Sequence, residues 1–103
     1  MNKIDATARD ANGIGVTKLH TTPLGELRIR RNLDLQVEDV MAWCKQMVLA
    51  AGDGDILRRG KNWYVSGERL TAREWFVLTI NAHSHTVITA HRARAAFRKD
   101  QKR

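Results

Sequence analysis

Ile56-Leu57-Arg58-Arg59-Gly60-Lys61-Asn62-Trp63-Tyr64-Val65 decides the fold of this chain. Gly60-Lys61-Asn62 is a turn signal between two short runs of apolar, aromatic and long side chains, which predicts a pair of antiparallel strands. Working outward, Ser66 to Glu74 is polar, with Gly67 and four charged residues, and reads as a loop. Trp75-Phe76-Val77-Leu78-Thr79-Ile80 and His85-Thr86-Val87-Ile88-Thr89-Ala90-His91 are rich in β-branched and aromatic residues and read as two further strands. Asn81-Ala82-His83-Ser84 connects them as a hairpin.

Upstream of this ribbon the hydrophobic period changes to that of helices. Thr22-Pro23 marks a start, with threonine as the cap and proline at the first helical position, where its missing N–H costs nothing. A short helix follows, from about Pro23 to Leu33. Leu24, Leu27 and Arg31 share one face of it, with Ile29 and Leu33 beside them. Val37, Val40, Met41, Cys44, Met47, Val48 and Ala51 form one continuous apolar stripe and define a second helix. Glu38 and Asp39 suit its positive end, and Gly52 suits the position past its last turn. Trp43, beside the stripe, reads as structural. Two helices followed by a meander of about three to four antiparallel strands make an α+β fold with the helices on one face of the sheet.

At 103 residues the chain has room for one core. The expected organisation is an arm over residues 1–20, a domain over 21–92 and a basic tail over 93–103. No apolar run approaches the ~18 residues of a membrane span, and the N-terminus lacks a signal-peptide pattern, so cytoplasmic residence is the expectation. Cys44 is the single cysteine, which excludes an internal disulfide and a cysteine-built metal site. The formal net charge of +7 is unevenly placed. From Arg92 onward stand Arg92, Arg94, Arg98, Lys99, Lys102 and Arg103 against Asp100 alone, a net +5 that leaves residues 1–91 at +2. A cationic extension of this kind attracts phosphate backbones without regard to base sequence. Taken alone, it reads equally as a solubilising terminus.

Three of the four histidines, His83, His85 and His91, fall within nine residues. Alternation along a strand predicts that His85, Val87, Thr89 and His91 project together, with Arg58, Arg59, Lys61 and Tyr64 on the neighbouring ribbon. Imidazoles beside cations and a phenol are the parts needed to cleave RNA without a metal. In this reading His91 and Thr89 belong to the catalytic set. Lys61 or Arg59 stabilises charge, and Tyr64 donates a proton or stacks on a base. Arg58, Arg59, His83, His85, Arg92, Arg94, Arg98 and Lys99 would hold the nucleic acid. The bland reading stands beside it. A histidine at a strand end is more often a hydrogen-bonding surface residue, and Trp63 is more often core than stacking platform. His83-x-His85 with His91 lacks a familiar ligand spacing, so no metal and no cofactor are expected. Phosphate-loop, Gly-x-Ser-x-Gly and His-Glu-x-x-His motifs do not occur.

Gly60-Lys61-Asn62-Trp63-Tyr64-Val65, Leu78-Thr79-Ile80-Asn81-Ala82-His83-Ser84 and Thr86-Val87-Ile88-Thr89-Ala90-His91 resemble a small bacterial domain family of unknown function. Thr22-Pro23-Leu24-Gly25, Arg28-Ile29-Arg30-Arg31-Asn32-Leu33 and Asp39-Val40-Met41-Ala42-Trp43-Cys44-Lys45 fit it too, so the resemblance covers about residues 20–92. It implies that the arm, the loop near Arg69 and the tail are particular to this member. The element order, ending in a strand with Thr89-x-His91, also resembles the RelE, colicin and barnase-like group of small ribonucleases. That likeness implies nuclease activity but carries over no residue beyond Thr89 and His91. The expected partner is nucleic acid, RNA before DNA, with no membrane. The alternatives are a non-catalytic nucleic-acid-binding module and a phage or mobile-element inhibitor docking on an acidic protein.

Overall fold

The computed structural model describes residues 13–68 and 75–93. Helix α1 spans Pro23–Leu33 and helix α2 spans Val40–Ala50. Strands β1 (Ile56–Arg59), β2 (Asn62–Glu68), β3 (Trp75–Asn81) and β4 (Val87–Ala93) form one antiparallel sheet in sequence order. This is the expected α+β meander, with both helices before it.

Helix α1 begins as its sequence predicts. Thr22 Oγ1 accepts from the Gly25 N–H at 3.0 Å, and Pro23 occupies the first turn. Ile29 and Leu33, rather than Leu24 and Leu27, give it its buried face. Gly25, Ile29 and Leu33 are buried, whereas Leu24 and Leu27 are 54% and 50% exposed. At Gly25 a β-carbon would collide with the Thr21 hydroxyl and stand at ordinary contact distance, 3.5 Å, from the Val87 carbonyl. The helix approaches β4 through this glycine, with Leu24 and Leu27 facing outward. Asn32 Nδ2 donating to the Ala90 carbonyl (2.9 Å) and Thr21 Oγ1 donating to the Val87 carbonyl (2.7 Å) fix the seating.

Helix α2 buries Val40, Cys44 and Val48, with Met41 and Met47 packed against the core. Asp39 is its cap, accepting from Ala42 N–H at 3.0 Å, so Val37 lies before the helix. Gly52 stands just past the end of the helix, as expected. Ala51 ends the helix in extended backbone, Gly52 has φ −88°, and its N–H donates to Asp55 Oδ2.

Residues 14–20, expected to belong to a loose arm, instead contribute buried side chains to the core. Ile14, Val16 and Leu19 are buried, and a 3-10 turn covers Val16–Lys18. His20 joins the start of the last hairpin strand in a parallel bridge to Thr86. The segment Ser66-Gly67-Glu68, expected in a loop, continues β2. Gly67 stands opposite Phe76, whose ring fills the space where a β-carbon would project. A residue type that weakens an isolated strand is here required by a close approach.

Strand β4 starts two residues later than predicted. His85 has φ +62° and closes the turn, its N–H donating to the Asn81 carbonyl at 2.8 Å. Asn81 Oδ1 accepts from the N–H groups of His83 and Ser84, which organises that turn. Ile80 pairs with Val87 but Thr79 pairs with Thr89, leaving Ile88 as the extra residue of a β-bulge. Val87 therefore points into the core while Thr89 points to the other side. The four side chains expected on one face are split by this bulge.

Candidate functional site

The antiparallel register sorts the strand residues into two faces. Ile56, Trp63, Val65, Phe76, Leu78, Ile80, Val87 and Ala90 lie toward the helices. On the opposite face, cross-strand partners make rows. Arg59 neighbours Asn62, which neighbours Asn81. Leu57, Tyr64, Thr79 and Thr89 form the next row, and Ser66, Val77 and His91 the one after. No helix among the described residues packs on this face.

A depression of about 280 Å³ opens there, lined by Leu57, Arg59, Tyr64, Val77 and His91. Its floor is apolar, since Val77 is buried and Leu57 half-buried. Its polar groups come from three different strands. Arg59 (β1) and His91 (β4) are exposed, and Tyr64 (β2) is half-buried between them. Asn62 Nδ2 donates to the Tyr64 hydroxyl oxygen at 3.4 Å, so the phenolic proton remains available to another acceptor. Imidazole, phenol and guanidinium around one apolar floor can remove a proton, donate a proton and hold an anion.

The structure thus brings together three of the residues singled out from sequence, His91, Tyr64 and Arg59. Thr89 shares their face, one row from His91, with its hydroxyl turned to its neighbour's carbonyl, Ala90, at 3.5 Å. Lys61 is elsewhere. It lies exposed in the β1–β2 turn, its carbonyl accepting from Ala82 N–H, and it does not line the depression. Arg59 holds the cationic place.

The remaining candidates lie on other surfaces. Arg58 sits on the helix-side face, its guanidinium 5.6 Å from the centre of the Trp63 ring and its Nε donating to the Gly60 carbonyl. Trp63 itself is a core residue, 7% exposed. His83 is exposed in the turn before β4. His85 Nε2 accepts from the Gly15 N–H at 3.2 Å, and its ring meets Trp63 edge-on at 5.3 Å. Arg92 Nε donates to the Asn32 carbonyl at the end of α1. Arg94, Arg98 and Lys99 lie outside the described residues. Among the described residues no three His, Cys, Asp or Glu side chains gather into a possible metal site. Burial pushes the Cys44 thiol up to about 12, which holds it protonated and unreactive at neutral pH.

Leu57 and Val77 line the depression and were not singled out from sequence. Strand parity was the available signal, since both fall in step with Tyr64 and His91 once the register is known. A second polar grouping was also missed. His20 Nδ1 faces the Lys18 carbonyl at 2.9 Å, and its Nε2 lies 3.1 Å from Thr86 Oγ1, which is 2.8 Å from Ser84 Oγ. These bonds tie the segment before α1 to the β3–β4 turn. Among the described residues no helix is long and apolar enough to cross a membrane.

No curated protein and no solved structure matches the chain, so no comparison supports the likeness to small ribonucleases. A family match does cover residues 14–91, beginning at the core residue Ile14 and ending at His91. On that match, the chain belongs to the family described as Protein of unknown function (DUF3781).

Proposed function

We propose that this protein acts on RNA at the depression opposite the helices, as a metal-independent ribonuclease. The observation that supports this is the convergence of His91, Tyr64 and Arg59 from three strands onto one depression. In the proposed step the ribose 2′-oxygen attacks the adjacent phosphorus. The 2′-hydroxyl proton passes to a ring nitrogen of His91, and the phosphorus–O5′ bond breaks. The Tyr64 hydroxyl supplies the proton to the departing 5′-oxygen, and Arg59 offsets phosphate charge. The products are a 2′,3′-cyclic phosphate and a 5′-hydroxyl end, and no redox partner is needed. The basic tail adds affinity through phosphate contacts that weaken with salt.

Incubating purified protein with RNA in EDTA tests this directly. Cleavage by the wild type that is lost in His91→Ala supports the mechanism. An inactive wild type, or a His91→Ala variant that cleaves normally, overturns it. A second reading, a nucleic-acid-binding module without catalysis, is favoured by Arg59 and Tyr64, a cation and an aromatic ring from adjacent strands, lining the same depression. It predicts salt-sensitive RNA binding that leaves the RNA intact.

A further inference from the structure

The size and layout of the depression carry the reading one step further. We infer that the substrate is a single-stranded stretch of RNA lying across the strands, with one unpaired base against the ring of Tyr64. This rests on the ribonuclease reading above.

Volume is the first argument. At about 280 Å³ the depression falls just below the ~300–1,000 Å³ of ordinary small-molecule pockets. It suits one nucleotide unit and not a folded element. Its inner wall is Leu57, Val77 and the Tyr64 ring, which is surface for a base or sugar. A base within a duplex has both faces covered by its neighbours and cannot offer one to an aromatic side chain. Unpaired bases can, and stacking on aromatic rings is the common mode of single-strand recognition. The phenolic oxygen lies in the ring plane, so a base on the ring face leaves the hydroxyl uncovered.

Layout is the second argument. Arg59 and His91 stand on β1 and β4, three inter-strand steps and two cross-strand rows apart, or roughly 19 Å between backbones. Tyr64 lies on β2, between them. Groups so spaced meet successive parts of a chain crossing the strands. His91 then faces the reacting ribose, Tyr64 the adjacent base with its hydroxyl toward the departing 5′-oxygen, and Arg59 the phosphate charge. Chemistry adds a third argument. In-line attack by the 2′-oxygen needs a sugar–phosphate backbone free to rotate away from helical geometry, which an unpaired segment permits.

The test uses one fluorescently labelled RNA oligonucleotide, free or annealed to its complement, with the full chain in EDTA. Anisotropy reads binding and gel electrophoresis reads cleavage. The single strand is expected to bind at least ten-fold more tightly than the duplex and to be the form that is cut. Tyr64→Ala is expected to weaken single-strand binding roughly five- to one-hundred-fold. Tyr64→Phe keeps the ring, so its binding stays within about three-fold of wild type while cleavage falls. Circular dichroism checks that both variants fold, and a misfolded Tyr64→Ala is replaced by Tyr64→Leu. Duplex bound and cut as well as single strand overturns the inference while leaving the ribonuclease reading intact. Single-strand binding unchanged in the folded, ring-deleted variant does the same. No cleavage of either form overturns the ribonuclease reading itself.

Discussion

The backbone N–H of Gly15 donates to Nε2 of His85 across 70 residues of chain, at 3.2 Å. It ties the segment that carries Ile14, Val16 and Leu19 to the turn that launches β4. The same imidazole meets Trp63 edge-on. His85 therefore serves the architecture, although sequence grouped it with the nucleic-acid-binding residues.

Removing that ring should destabilise the fold. His85→Ala leaves a part-buried N–H without its acceptor, takes an edge contact from Trp63, and keeps a side chain in the left-handed region. A loss of about 1–3 kcal/mol is expected for the unsatisfied donor alone. Urea unfolding followed by tryptophan fluorescence reads it, and an unchanged midpoint would contradict the assignment.

The buried face of α1 gives a contrast within one helix. Ile29→Ala should cost about 2–5 kcal/mol, because the residue is fully enclosed. Leu24→Gln and Leu27→Gln should each stay within about 0.5 kcal/mol of wild type. Thermal melts of the three variants would check this seating, and comparable losses at Leu24 or Leu27 would contradict it.

Two glycines predict different penalties. In Gly67→Ala the new β-carbon would stand 2.7 Å from the Phe76 ring, so overpacking of about 1–3 kcal/mol is expected. Gly60→Ala meets no neighbour but must hold φ +61°, a cost of about 1–2 kcal/mol. Gly67→Ala should also perturb the near-ultraviolet spectrum of the aromatic core, and Gly60→Ala should not.

Cys44 sets a pH dependence whose sign follows from its burial. The folded thiol keeps its proton until about 12, whereas the unfolded thiol releases it near 9.0. Between those values the unfolded state binds fewer protons, so stability falls as pH rises through this window. Below 9 both states are protonated and the contribution is fully present. Stability measured from pH 8 to 11 in wild type and Cys44→Ala should show the steeper decline in wild type, and parallel curves would refute it.

At the candidate site, Arg59→Ala and Lys61→Ala separate the two cations. Both removals lower net charge equally, so any general electrostatic effect is shared. If Arg59 is the group at the depression, its loss should slow RNA cleavage at least ten-fold, against less than three-fold for Lys61. Equal effects would return the role to diffuse charge.

The local elements were legible in the sequence because their signals are local. Thr22-Pro23 capped α1 and Leu33 ended it within the predicted bounds. The Gly60-Lys61 turn and the composition of β1, β2 and β3 set the order of the meander. What pairing decides was not legible. Gly67 read as a loop residue because its reason, the Phe76 ring, comes from the next strand. Which face of α1 packs inward was not legible, because the helix is seated on β4 through Thr21 and Asn32, whose partners lie in that strand. The bulge at Ile88 splits Val87 from Thr89, and no periodicity within residues 85–91 announces it. Likewise His91, Tyr64, Arg59, Leu57 and Val77 share a depression only through three registers of a sheet. Sequence by itself determined the order of the helices and strands and nominated the residues for chemistry. Tertiary structure alone decided which of those residues meet, because a side chain's face in a sheet depends on hydrogen bonds made to strands elsewhere in the chain.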